Sequence, residues 1–206
     1  MKFYELTQDV KDRVLTWHAD TLDGSWYKYV TEQAKYDGKA LGFEMDNIYF
    51  SGFWSQGDGA SWVGTVDISL FIDAHTTKPD PRWEMVKFLI SEGALSSTCD
   101  IYVVGYYSHD STMCISNIQL YDLDYISSNV KYPLFDNLNR QELWNSVEGD
   151  ALLEMLEDWM LYKARDYAQK VYESLYQEYE YQTGEAYVAE TAEANEWDFD
   201  EEGNLI

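Results

Sequence analysis

The run "GDALLEMLEDWMLYKARDYAQKVYESLYQEYE", residues 149 to 180, constrains the fold most. Leu153, Leu156, Met160, Ala164, Tyr167, Val171 and Leu175 recur every three or four residues, which makes one apolar stripe along a single long helix. Asp150 is placed to cap its start. A stripe of that kind must be covered by another layer of structure.

The cover comes from segments of different period. "ELTQDVKDRVLTWHADTL" reads as a helix with Thr7 as N-cap, Asp9 in the first turn and Val10, Val14 and Trp17 at helical spacing. "WYKYVTEQAKYDG" reads as a second helix, stopped near Gly38. The period then changes to two. "NIYFSGFW" and "SWVGTVDISLF" flank a Gly-rich loop, a hairpin signature. Pairing about Gly57-Asp58 sets Phe53 opposite Trp62 and Tyr49 opposite Val66. Pro79 and Pro81 break the strand, and "PRWEMVKFLISEG" follows as a helix with Pro81 at its start. "DIYVVGYYS" and "TMCISNIQLYD" form a second hairpin, and residues 127 to 140 a polar loop. A short helix follows Gly184, and "EWDFDEEGNLI" is an acidic tail. The expected fold is α+β: about four antiparallel strands from two hairpins, packed with N-terminal helices and the long C-terminal helix. The expected division is a core of residues 1–140 and an acidic helical segment of residues 141–206 on the same domain.

Charge narrows the partners. The chain has 38 acidic and 14 basic residues, net −24, and residues 141 to 206 alone carry 18 acids against 3 bases. Such a surface repels nucleic acid and anionic membrane, so the expected partner is a protein with a basic or nucleic-acid-binding surface. No run of about 18 apolar residues exists, and the N-terminus lacks an apolar signal core, which points to the cytoplasm. Cys99 and Cys114 are too few for a disulfide framework or a four-cysteine zinc site. A tight second hairpin sets Cys114 opposite Tyr106, about 23 Å along the strand from Cys99.

Four stretches carry a resemblance: "YELTQDVKDRVLTWH", "IYFSGFWSQGDGASW", "GYYSHDSTMCI" and "ANEWDFDEEGNLI". Together they resemble a family of small tailed-bacteriophage proteins that carry the SGFWSQGDGA motif and are often labelled antitoxin of a toxin-antitoxin stability system. The resemblance thins between residues 123 and 150. It implies phage origin, residence in the cytoplasm of the infected host, and a neutralising role. It brings no catalytic residues.

Local chemistry points the same way. His18, His75 and His109 show no HxH, HExxH or CxxC spacing, so no metal is expected. "DFDEEG" opens like a calcium loop, but its twelfth position would be residue 209 in a chain of 206. "SQGDGAS" lacks the lysine and following helix of a phosphate loop, and its residues suit a turn. Gln56, Asp58 and His109 remain the alternative loop site, for an enzyme acting on a nucleotide or modified nucleic acid. Trp54, Trp62, Tyr106 and Tyr107 could line a sugar-binding sheet face, although core packing competes for such aromatics.

The main expectation rests on "YESLYQEYEY". Tyr172, Tyr176 and Tyr179 supply apolar contact area, and Glu173, Glu178 and Glu180 meet Arg and Lys. Four acids between Glu173 and Glu185 span roughly 18 Å of helix, one per roughly 6 Å, against about 3.4 Å per phosphate of a DNA strand. Full nucleic-acid mimicry therefore needs charge from other segments. The expected function is a phage-encoded, non-enzymatic binding protein, without cofactor, that neutralises a host factor in defence or a toxin-like setting. A virion or assembly component is a third reading.

Overall fold

Asp80 and Pro81 show how locally this chain specifies its elements. Asp80 accepts a hydrogen bond from the Arg82 N–H (2.9 Å), and Pro81 takes the first helical position, where its missing donor costs nothing. The computed structural model describes residues 1–121 and 148–206. Among them are α1 (Gln8–Asp20), α2 (Lys28–Lys39), β1 (Phe43–Phe50), β2 (Ala60–Asp67), α3 (Ile68–His75), α4 (Pro81–Ser91), β3 (Thr98–Val103), β4 (Met113–Ile115), α5 (Gly149–Thr183) and α6 (Glu185–Ala194). The fold is α+β with a four-stranded antiparallel sheet in the order β1-β2-β3-β4 and a long C-terminal helix. The expected polar loop at residues 127–140, and the expected division between residues 140 and 141, lie outside the described residues.

Two compact units are present, Gln33–Tyr172 and Met1–Glu32 with Glu173–Ile206. In the unit Gln33–Tyr172, the stripe of α5 lies buried at Leu152, Leu153, Leu156, Met160, Ala164, Ala168 and Val171. Leu152 to Ala168 join one core with Phe43, Trp62 and Val66 of the sheet and Phe71 and Ile72 of α3. Each large side chain so buried contributes about 1.5–3 kcal/mol. The Trp62 indole N–H donates to the Ala164 carbonyl at 3.2 Å, which satisfies its one polar atom. Trp62 is therefore core, not part of a sugar-binding face. Asp150 lies inside the first turn of α5, one residue past its start at Gly149.

Three expectations are corrected. The first hairpin pairs Ile48 with Trp62 and Phe43 with Val66. Phe53 lies in the connection, and Tyr49 faces solvent. The loop closes early, at Ser51 and Gly59, and a bulge between Met45 and Asn47 shifts the register. Gly64 faces that bulge: a Cβ there would sit 2.0 Å from the Glu44 carbonyl oxygen. Second, "ISLF" is not strand. The Asp67 carboxylate accepts from the Leu70 N–H (2.8 Å) and starts α3. Third, Cys114 pairs with Tyr102, because residues 104–112 form the turn. The offset to Cys99 is about 10 Å along the strand at 3.3 Å per residue, still beyond disulfide reach; both thiols are free.

The unit Met1–Glu32 with Glu173–Ile206 has its own core. Phe3, Leu6, Val10 and Val14 pack with Val188, Ala192 and Phe199. Phe199 belongs to the expected acidic tail, yet it is 1% exposed and forms a β-bridge with Leu205. Thr7 occupies the N-cap of α1 without a side-chain capping bond. Gly184 caps α6.

Candidate functional site

In the unit Gln33–Tyr172, the loop of residues 51–59 is closed by its own polar groups. The Ser51 N–H donates to the Gly59 carbonyl (3.1 Å), and the Gly59 N–H donates to Ser51 Oγ (3.1 Å). One oxygen of Asp58 accepts from the N–H groups of Trp54 (2.9 Å) and Ser55 (2.6 Å). Gly57 takes φ +108°, a value open to glycine. Asp58 is thus engaged in holding the turn, and Gln56 stands exposed in it.

His109 is brought against this loop, since a Cβ on Gly59 would sit 2.8 Å from His109 Cδ2. Its Nδ1 lies 2.9 Å from Ser111 Oγ, 3.1 Å from the Ser111 N–H and 2.6 Å from Asp110 Oδ1. A serine–histidine–aspartate relay needs serine and carboxylate on opposite ring nitrogens. Here both engage the same one, so the cluster locks a turn. From α5, Arg165 donates to the Met113 carbonyl (2.6 Å), and the Tyr172 hydroxyl donates to the Gly52 carbonyl (3.0 Å). Tyr172 also packs on Phe53, ring centres 5.4 Å apart. Tyr172 therefore belongs with the loops of this unit.

Glu173, Tyr176, Glu178, Tyr179 and Glu180 belong to the other unit. At about 100° per residue, Glu173, Tyr176 and Glu180 fall within an arc of roughly 60°. Tyr179 adjoins that arc and packs edge-on against Trp26 at 5.7 Å. Glu178 stands roughly 140–160° away and accepts from the Gln182 amide (2.5 Å). Local desolvation, and after it the Glu180 carboxylate, hold the Tyr176 phenol above its ordinary pKa. Tyr176 stays a neutral donor at any physiological pH. This unit holds 17 acidic and 4 basic residues, net −13, and residues 173–206 hold 11 acids and no Lys or Arg.

The same unit contains a feature that the sequence reading did not identify. A cavity of about 540 Å³ is lined by Lys2, Phe3, Tyr4, Ala189, Ala192, Glu193, Glu196, Trp197 and Asp198. Its walls come from opposite ends of the chain, so no local motif announces it.

Among the described residues, no group of three or more His, Cys, Asp or Glu side chains could hold a metal ion. Among them, no helix is long and apolar enough to cross a membrane. The family model described as "Domain of unknown function (DUF8835)" matches residues 26–185. No curated protein and no solved structure matches the chain. The matched segment contains the whole unit Gln33–Tyr172. The second core, from Phe3 to Val14 and from Val188 to Phe199, lies outside it.

Proposed function

We propose a function for the chain from its own surface, because it belongs to the DUF8835 family, a domain of unknown function. The chain is a non-enzymatic binding protein that occupies a basic, nucleic-acid-binding surface of another protein and so neutralises it. The observation that carries this reading is the arc of Glu173, Tyr176 and Glu180 on α5, in a unit of net −13. Carboxylates there meet Arg and Lys, and the tyrosine supplies contact area at low entropic cost. Long-range attraction between net charges of opposite sign speeds the encounter.

The resemblance to tailed-phage proteins supports a setting in the cytoplasm of an infected bacterium, with a defence factor or toxin as target. Glutamates on one helix are too widely spaced to copy a phosphate backbone alone, so the mimicry would be of charge rather than of shape. The test is affinity capture from bacterial lysate with the wild-type chain and with Glu173→Lys/Glu180→Lys. A partner held by the first and released by the second supports the reading. Identical capture by both overturns it.

A further inference from the structure

The cavity between the start of the chain and α6 has two kinds of wall. Phe3 and Ala192 are buried, and with Ala189 and Trp197 they make an apolar floor. Lys2, Tyr4, Glu193, Glu196 and Asp198 make the polar lining. About 540 Å³ is the size of a site for a small ligand or a single large side chain.

The charges at its edge are not equivalent. Lys2 Nζ lies 3.2 Å from Asp198 Oδ1 and donates to the Glu196 and Trp197 carbonyls at 3.3 Å each. The N-terminal ammonium stands 4.0 Å from the same Asp198 oxygen. Asp198 is therefore matched. Among the described residues, no cation pairs with Glu193 or Glu196. The backbone also singles out Glu196, which holds φ +56°. Its N–H bonds to the Glu193 carbonyl (3.1 Å), and the Trp197 N–H bonds to the Ala192 carbonyl (2.8 Å). This paired helix stop asks for a left-handed residue, and glycine is the usual one. Glutamate here places a carboxylate at the cavity at some cost to local stability.

We propose that the cavity receives an arginine side chain of a basic partner segment. The stem lies along Phe3, Ala189 and Ala192, and the guanidinium meets Trp197 and the two unmatched carboxylates. Arginine fits better than lysine because its planar, weakly hydrated head both stacks on aromatic rings and pairs with carboxylates through two donors. This site is separate from the α5 face and does not depend on it.

The probe is a capped hexapeptide with two arginines in an alanine background, titrated at about 150 mM salt. Binding is followed by calorimetry and by the NMR signal of the Trp197 indole N–H. The expected result is a shift of that signal, with affinity about tenfold weaker for Glu196→Gly and for Glu193→Gln. Glu196→Gly should melt no lower than wild type, so its loss of binding cannot come from unfolding. Glu201→Gln, outside the lining, and Glu173→Lys/Glu180→Lys should bind as wild type, which separates this site from the α5 face. Equal binding by Glu196→Gly, equal binding of a lysine peptide, or an unmoved Trp197 signal overturns the proposal.

Discussion

Met1 and Phe199 exchange two main-chain hydrogen bonds: the amino group of Met1 donates to the Phe199 carbonyl (2.7 Å), and the Phe199 N–H donates back to Met1 (2.8 Å). The Phe199 ring is 1% exposed and packs edge-on against Phe3, centres 6.3 Å apart. An acidic tail is thereby pinned into a core. Replacing Phe199 with Ala should cost about 3–5 kcal/mol of the local unit's stability. Native-state hydrogen exchange should show lost protection in α1 and α6. Unchanged protection there would mean that the tail is not an anchor.

Ser61 is fully buried on β2, and its hydroxyl has no hydrogen-bond partner among the described residues. An unsatisfied buried hydroxyl costs about 1–3 kcal/mol. Ser61→Ala should therefore leave the protein as stable as before, or more stable by about 1 kcal/mol, in urea unfolding. A clear loss of stability would show that the hydroxyl has a partner.

These two residues also mark what could be read from the chain. The stripe of α5, the Asp80–Pro81 start of α4 and the two hairpins were legible, because each is written within a few residues. The hairpin register was not. It is set where Ser51 meets Gly59 and where the bulge falls, whereas a turn centred on Gly57-Asp58 sets Phe53 opposite Trp62. α3 was missed because "ISLF" is apolar and follows directly on the strand run "SWVGTVD"; the Asp67 cap decides it. Phe199 was unreadable for another reason: its partners Met1 and Phe3 stand nearly the whole chain away in sequence. The cavity beside Trp197 was hidden in the same way. On α5, the tyrosine and glutamate spacing was legible, but helix phase sets Glu178 off the face, and Tyr172 joins the loops.

His75 gives a pH signature. Burial first, opposed by the Phe71 carbonyl (2.9 Å) and aided by Lys163 and Lys170, holds its pKa below 6.5. The unfolded chain binds a proton as pH falls below about 6.5 while the folded chain resists. The contribution of His75 is therefore complete above that pH and is lost as pH falls towards the folded pKa. NMR titration should place the His75 midpoint below 6.5, and His75→Phe should flatten this part of the stability profile. A midpoint at or above 6.5 would contradict the assignment.

Cys99 should be inert. Burial first, and then Glu157 and Asp100, push its thiol up to about 12, so almost no thiolate exists at pH 8. Thiol titration with a chromogenic disulfide should leave Cys99 unmodified in the native protein and label it after denaturation. Rapid native labelling of Cys99, located by mass spectrometry, would show that this edge of the core opens.

The central claim is that the acidic arc on α5 displaces nucleic acid from a basic protein. The direct measurement is affinity capture from bacterial lysate, identification of the captured protein, and a nucleic-acid binding assay on it with added chain. The account predicts that the wild-type chain releases the nucleic acid and that Glu173→Lys/Glu180→Lys, folded as judged by its circular dichroism, does not. A captured protein that keeps its nucleic acid, or that loses it equally to both chains, would contradict the account.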